Sequence, residues 1–319
     1  MMLWVRTATA LGFLAVAQGA VVAQQPTYRA QTELVNLNVT VVDAQARPVE
    51  GLTEDQFEVF EDGVRQELKF FAPGEMPLDV AIILDTSASM TGSLGLVQAA
   101  ALRLSNALRD HDRATVMSIS GGLRVLQPLT SDKAAVGAAI RGTKAGGRTP
   151  LYSSIYTTLH EFEKERRAYA EPRRQAIVVL SDGQDTASGF GFDQLLGIVR
   201  RQAVAIYTIA PRPSTTIKAQ REIVFGESTH NEDFELRKLA SETGGRAFFP
   251  VTLHELAGVY DDIANELAHQ YSLGYQSSNP SLDGEFRHVG LRVLAPGVKW
   301  RTRTGYIASA DAVAGGDLR

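Results

Sequence analysis

Three short segments, far apart in the chain, place acid and hydroxyl side chains where a buried strand is expected to run out: Asp85-Thr86-Ser87-Ala88-Ser89, Thr149-Pro150 and Ser181-Asp182-Gly183. Asp85, Ser87 and Ser89 stand at i, i+2 and i+4, so their side chains can converge on one point if the backbone curls as it leaves a strand. With Thr149 and Asp182 the set offers two carboxylates and three hydroxyls, all hard oxygen donors. Mg²⁺ and Mn²⁺ take such donors in octahedral geometry, and Mg²⁺ sites commonly keep waters and use only one or two protein carboxylates. The chemistry these residues support is ligation of a divalent cation, Mg²⁺ or Mn²⁺. Because three of the donors are neutral, the held ion keeps enough electrophilicity to accept a carboxylate from another molecule.

Donors so far apart in sequence meet only if a scaffold brings the segment ends together. Residues 78–84 (LDVAIIL) and 176–180 (AIVVL) are continuous apolar runs, the pattern of strands buried on both faces of a parallel sheet. In open α/β sheets ligands collect at the carboxyl ends of the strands, where all three segments fall. Residues 94–109 carry apolar side chains at helical spacing, 114–119 reads as the next strand, and 123–126 as an antiparallel edge strand. Helices are expected at 133–141, 151–165, 192–201, 234–243 and 253–269, and strands at 203–209 and 247–251. This alternation predicts βαβ units and a doubly wound, mostly parallel α/β sheet.

DxSxS after an apolar strand, Thr-Pro-Leu-Tyr at 149–152, and Ser-Asp-Gly after the next apolar strand resemble the metal-ion-dependent adhesion site (MIDAS) of von Willebrand factor A (VWA) domains. The resemblance covers residues 78–269. It implies a doubly wound sheet with helices on both faces and a metal site at Asp85, Ser87, Ser89, Thr149 and Asp182. It further implies Ser87, Ser89 and Thr149 as direct ligands, the aspartates acting often through water, and an open coordination position filled by an Asp or Glu of a partner protein. In that family the contact can be coupled to a shift of the last helix, here 253–269. Each segment alone is ordinary, since Ser and Asp at strand ends are favoured turn and helix-cap residues. Pro150 makes Thr149 equally a candidate N-cap. The conjunction of three segments in the family's order carries the reading.

The flanks have another character. Residues 33–42 (ELVNLNVTVV) partly alternate and are rich in β-branched side chains, 57–60 and 67–71 read as further strands, and Asp62-Gly63 is a hairpin signal. So few short strands do not readily make a stable sandwich. Residues 270–276, 288–294 and 300–307 are also strand-like, so the expectation is a small accessory β domain in which 28–75 packs with 270–308 and the α/β domain is inserted between them. This arrangement is similar to secreted bacterial VWFA-related proteins, in which such a β segment precedes the A domain.

At 319 residues with 44% hydrophobic and 21% charged side chains, the composition is that of an ordinary globular protein. A net charge of −4, and no basic run interleaved with aromatics, argue against a nucleic-acid partner. Residues 1–6 carry one positive charge, 7–22 are apolar or small, and Val21-Val22-Ala23 fits the pattern before signal cleavage. A secretory signal peptide is expected at 1–23, cut after Ala20 or Ala23. The apolar stretch is short for a membrane anchor and contains Gln18. The mature protein is expected to be secreted or periplasmic without stable membrane insertion, ending in a disordered tail at 309–319. The absence of cysteine removes thiolate zinc sites and cysteine nucleophiles.

The function expected is therefore an exported, metal-ion-dependent protein-binding module of the adhesion type, and not an enzyme. A structural scaffold whose ion staples the loops is the alternative. A metal-dependent hydrolase fits less well. Position 87 is Ser where an aspartate-nucleophile phosphatase would begin DxD, and no GxSxG elbow occurs. The glycine-rich stretch 142–149 (GTKAGGRT) lacks the Gly-Lys-Ser/Thr ending of a P-loop and is expected to free the backbone that brings Thr149 to the metal. The polar insert 211–233 leaves a strand at the ligand face, where it serves either partner selection or as a mobile loop. Nothing in the sequence sets an oligomeric state.

Overall fold

The computed structural model describes residues 34–309, apart from 75, 169–170, 182–184 and 212–228. The expected signal peptide, residues 28–33, the end of the tail and most of the 211–233 insert lie outside the described residues. The chain begins with β1 (Leu34–Val42), β2 (Phe57–Glu61), β3 (Val64–Gln66) and β4 (Leu68–Pro73). It then runs through β5 (Leu78–Asp85), α1 (Leu94–Ala107), β6 (Arg113–Ile119), β7 (Leu123–Thr130), α2 (Lys133–Arg141) and α3 (Leu151–Ala168). Next come β8 (Arg174–Leu180), α4 (Phe192–Val199), β9 (Val204–Ile209), α5 (Thr229–Thr243), β10 (Ala247–Phe248) and α6 (Leu256–Ala268). It returns with β11 (Tyr271–Gln276), β12 (Phe286–Val293), β13 (Lys299–Arg301) and β14 (Gly305–Ile307).

The central sheet has the order β10-β9-β8-β5-β6-β7. Its pairings are parallel except for the edge strand β7, which is antiparallel to β6. Every residue of β5 is buried, because both faces of the sheet are covered. The pleat sends Val80, Ile82 and Leu84 into one core with Val97 and Leu104 of α1, Ile140 of α2 and Tyr260 and Ile263 of α6. Ala81 and Ile83 face the other way, into a core with Ile155 and Leu159 of α3, Leu195 of α4 and Leu236 and Leu239 of α5. Among the described residues, three helices pack on each face, which makes this a doubly wound α/β domain.

Strands from the two ends of the chain mix in two further antiparallel sheets, β13-β1-β11-β4 and β14-β12-β2-β3. Leu37, Val39, Tyr271 and Leu273 of the first sheet share one core with Phe57, Val59 and Leu291 of the second. Asp62 (φ 47°) and Gly63 (φ 83°) turn the β2–β3 hairpin, with both central residues at the positive φ a type I′ turn requires. Residues 300–307 form two strands instead of one. β13 pairs with β1 while β14 pairs with β12, so the chain changes sheets at Thr302 to Thr304. Buried Arg303 holds the crossing by donating to the carbonyls of Gly305 (2.8 Å) and Arg200 (2.9 Å). The strand expected at 247–251 stops at Phe248, and Pro250, which has no N–H to give a ladder, follows closely.

Polar contacts bind the two parts where the chain passes between them. Arg174, at the start of β8, donates to the carbonyl of Met76 on the way in and to that of Leu267 on the way out (2.8 Å). Burial lowers its pKa to about 10, which leaves it charged at neutral pH. Glu266, in the last turn of α6, accepts from Thr40 of β1 (3.2 Å), Tyr207 of β9 (2.6 Å) and Arg301 of β13. The Gln270 amide completes this network by donating to Thr40 and Tyr207.

A second buried carboxylate sets an acid limit on stability. Burial opposes ionisation of Glu242 on α5. Hydrogen bonds from Arg200 (3.1 Å), Lys238 and Thr304 (2.8 Å) outweigh it and hold the carboxyl at about 2, against its ordinary 4.5. A depressed folded-state pKa contributes stability that is present above pH 4.5 and lost as pH falls toward 2. Glu242→Gln should therefore flatten the loss of urea-unfolding free energy between pH 5 and 2, by a contribution on the order of 3 kcal/mol.

Candidate metal centre

Asp85 ends β5, opposite Ile119 of the parallel neighbour β6. It is 0% exposed. Its Oδ1 accepts from the backbone N–H of Ser87 (2.8 Å) and, at a longer 3.4 Å, from the Thr149 hydroxyl. Its Oδ2 accepts from the Ser181 hydroxyl at 2.9 Å. One carboxylate thus joins all three segments. The Ser87 contact is local and closes the curl after the strand, an Asx-type turn that Asp favours. Thr86, between the two, points elsewhere: its N–H and hydroxyl both donate to the Ile119 carbonyl. The alternation of Asp85 and Ser87 against Thr86 is the spacing that lets i and i+2 share one side of the loop.

Thr149 is brought in by the glycine loop before it. The Gly146 N–H donates to the Thr86 carbonyl (2.6 Å), the Ser120 hydroxyl to the Gly146 carbonyl (2.5 Å), and the Gly121 N–H to the Arg148 carbonyl (2.8 Å). Gly147 sits at φ 86°, where a Cβ would lie 2.6 Å from the backbone of Ser120 and Gly121. Only glycine fits between these two turns.

The first turn of α3 does not depend on the Thr149 hydroxyl for its cap. The Tyr152 N–H donates to Asp185 Oδ1 (3.3 Å) and the Ser153 N–H to the Ser188 hydroxyl (2.9 Å). Thr149 and Thr186 bind each other reciprocally, Thr149 N–H to the Thr186 hydroxyl (3.1 Å) and Thr186 N–H to the Thr149 carbonyl (3.0 Å). With the cap supplied by this neighbouring loop, the Thr149 hydroxyl turns to Asp85. Asp185, Thr186 and Ser188 were not singled out in the sequence. Their short polar side chains signal capping and turns, but nothing local assigns them to a helix more than thirty residues earlier. Ser181 stood in plain view beside Asp182, and its hydroxyl is the one that reaches Asp85.

The structure therefore gathers Asp85, Ser87 and Thr149, and adds Ser181. Asp182 and the side chain of Ser89 lie outside what is described. Among the described residues no group of three or more His, Asp or Glu side chains forms a metal site, so a cation here would rely on hydroxyl oxygens as well as carboxylate. That donor set, hard oxygen throughout, fits Mg²⁺ or Mn²⁺. Two of its hydroxyls, those of Thr149 and Ser181, give their protons to Asp85.

The family model described as the von Willebrand factor type A domain matches residues 80–184, from β5 through the Ser-Asp-Gly segment. A UPF0353 protein of Mycolicibacterium vanbaalenii is 25% identical over 233 residues, covering 68% of this chain and 66% of that protein. The chain thus spans about two thirds of the length of that curated relative. Among solved structures, a von Willebrand factor type A protein from Catenulispora acidiphila gives a TM-score of 0.48 at 13% identity, covering 90% of this chain and 76% of its own. Proximal thread matrix protein 1 of the mussel byssus, with a zinc-occupied MIDAS motif, gives 0.48 at 15% identity, covering 65% and 50%. The family match lies on the strands and loops that gather around Asp85, so residues 80–184 of this chain are similar to the von Willebrand factor type A domain.

Proposed function

We propose that this protein is an exported binding module in which a divalent cation, Mg²⁺ or Mn²⁺, accepts the carboxylate of an Asp or Glu from a partner protein. Ser87, Ser89 and Thr149 would hold the ion directly, with Asp85 and Asp182 supplying the negative charge around it. The observation that carries this reading is the buried Asp85 carboxylate, bonded at once to Ser87, Thr149 and Ser181 of three separate segments. When bound, the ion would supply a Lewis-acidic position open to an outside carboxylate. The protein's own part is to fix the oxygens: Asp85 takes the hydroxyl protons, and the loop contacts of Thr86, Gly146 and Thr186 keep the oxygens in place before any partner arrives. The reaction proposed is ligation without turnover. The leader-like composition of residues 1–23 supports export, and no helix among the described residues is long and apolar enough to cross a membrane.

The loops are already tied to one another by protein hydrogen bonds, which argues against an ion whose only work is stapling them. Titration of Mg²⁺ and Mn²⁺ into the chelator-stripped mature protein by calorimetry is expected to show saturable one-site binding, with a modest rise in melting temperature. Absence of saturable binding would sink the reading. A large loss of thermal stability on chelation, with a captured partner still bound, would favour the scaffold.

A further inference from the structure

Building on the metal-dependent reading above, we propose that Arg148 recognises a second carboxylate on the partner. The segment bound then carries an acidic pair: one Asp or Glu caps the ion, and another, two residues away, pairs with the Arg148 guanidinium. Arg148 stands between two residues of the glycine loop that touch the first segment. The Gly147 carbonyl before it accepts from the Ala88 N–H (3.4 Å), and the Thr149 hydroxyl after it donates to Asp85. Its side chain runs to the loop that follows Ser181, where Nη2 donates to the Thr186 carbonyl. Thr186 is the residue whose N–H and hydroxyl already bind the Thr149 backbone.

Backbone and guanidinium of this residue are both held. The Arg148 carbonyl accepts from the Gly121 N–H (2.8 Å), and Gly147 beside it has no room for a Cβ. A donor fixed before the partner arrives loses little freedom when it binds. Arg148 is nonetheless exposed, and among the described residues no carboxylate pairs with it. Its single N–H bond to Thr186 leaves most of the guanidinium's donors for a carboxylate, which the planar fork matches two at a time.

The charges around the ion position favour an acid there. Lys144 is exposed on the same loop, and residues 86–93 and 120–122 carry no charge. Asp185, in the loop after Ser181, is turned to its own loop and to α3. Its Oδ1 accepts from the Tyr152 N–H and the Ser188 hydroxyl, and its Oδ2 from the Ser188 N–H. In the metal-dependent reading Asp85 and Asp182 offset the ion's own charge, so a capping carboxylate alone leaves Arg148 and Lys144 without a counter-charge. Arg148 and Thr149 are consecutive, and the guanidinium, held on Thr186 beside Thr149, stands close to the ion position. In an extended partner, residues i and i+2 face one side about 7 Å apart while i+1 points away. The recognition element is thus Asp/Glu-x-Asp/Glu.

The test is to pan a random linear peptide library on the full mature protein in Mg²⁺ and elute with EDTA. Eluted peptides should share two acids at i and i+2. In a synthetic peptide of the enriched sequence, replacing one acid by Ala should abolish Mg²⁺-dependent binding in calorimetry, and replacing the other should weaken it about three- to tenfold. That second loss should vanish on an Arg148→Gln protein. A Mg²⁺ titration of the same variant separates recognition from support. Removing a positive charge beside the ion should leave Mg²⁺ affinity equal or up to about threefold tighter, whereas an Arg148 that merely props the Thr149 loop would loosen it when replaced. Looser Mg²⁺ binding by the variant, a single acid in the eluted peptides, or an undiminished second loss on the variant would each overturn the role of Arg148 while leaving the metal reading intact. Peptides that elute without an acid, or no EDTA-eluted peptide at all, would overturn the metal reading and this inference with it.

Discussion

Asp85→Asn is expected to weaken Mg²⁺ and Mn²⁺ binding at least about 100-fold, about 2.7 kcal/mol, while moving the melting temperature of the chelator-stripped protein by only a few degrees. The two expectations follow from the same geometry. An Asn at this position keeps the shape of the buried side chain and one oxygen to accept from the Ser87 N–H and the Thr149 hydroxyl. Its amide nitrogen then faces Ser181, whose hydroxyl can rotate from donor to acceptor. What disappears is a full negative charge in a site with 0% exposure, where solvent screens an ion's attraction least. Calorimetry reads the first effect and a thermal melt in EDTA the second. Unchanged affinity would place the ion elsewhere. Ser181→Ala should cost less, about tenfold, because that hydroxyl orients the Asp85 carboxylate, and such supporting partners are worth about 10- to 100-fold in affinity.

Glu266→Ala is expected to destabilise the protein by about 3–5 kcal/mol, the cost of leaving the other half of a buried ion pair behind. For a chain of this size that is a fall of about 10 °C in melting temperature. The carboxylate is nearly buried and serves three elements at once: Thr40 in β1, Tyr207 in β9 and Arg301 in β13. Burial acts to lower the Arg301 pKa, but Glu266 more than offsets it and the pKa is raised, so truncation strands a cation held there by its partner. Glu266→Gln keeps an acceptor for Thr40 and Tyr207 and should cost about half as much. A melting temperature within 2 °C of the wild type for the Ala variant would show that the junction does not hold the fold. The same contacts bear on dynamics. With Glu266 locked into two sheets and the Leu267 carbonyl bonded to Arg174, α6 cannot slide along its axis without breaking both. Any coupling between the metal loops and the last helix must therefore work against the accessory sheet that holds β1 and β13.

Short-range features were legible in the residues themselves. The apolar runs at 78–84 and 176–180 are central strands because only a strand covered on both faces tolerates unbroken hydrophobicity. Asp62-Gly63 turns a hairpin because those residues accept positive φ. Asp85 and Ser87 share one side of a curled loop because the Asp carboxylate bonds the N–H two residues on, a contact contained within three residues. The helices of the α/β domain follow from 3.6-residue apolar spacing, read within a window of a few turns.

Tertiary structure alone decided what lies across the chain. Thr149 meets Asp85 over a separation of 64 residues and Ser181 over 96, and neither hydroxyl carries a local mark saying whether it caps a helix or faces a carboxylate. For Thr149 the choice was made by Asp185 and Ser188, which took over the α3 cap from another loop. The split of 300–307 between two sheets, and the gathering of Thr40, Tyr207 and Arg301 around the Glu266 carboxylate, have the same origin. Periodicity reports which face of an element is buried, but not which partner lies against it, and a hydrogen bond between distant segments exists only after the packing of whole sheets and helices has set their distance.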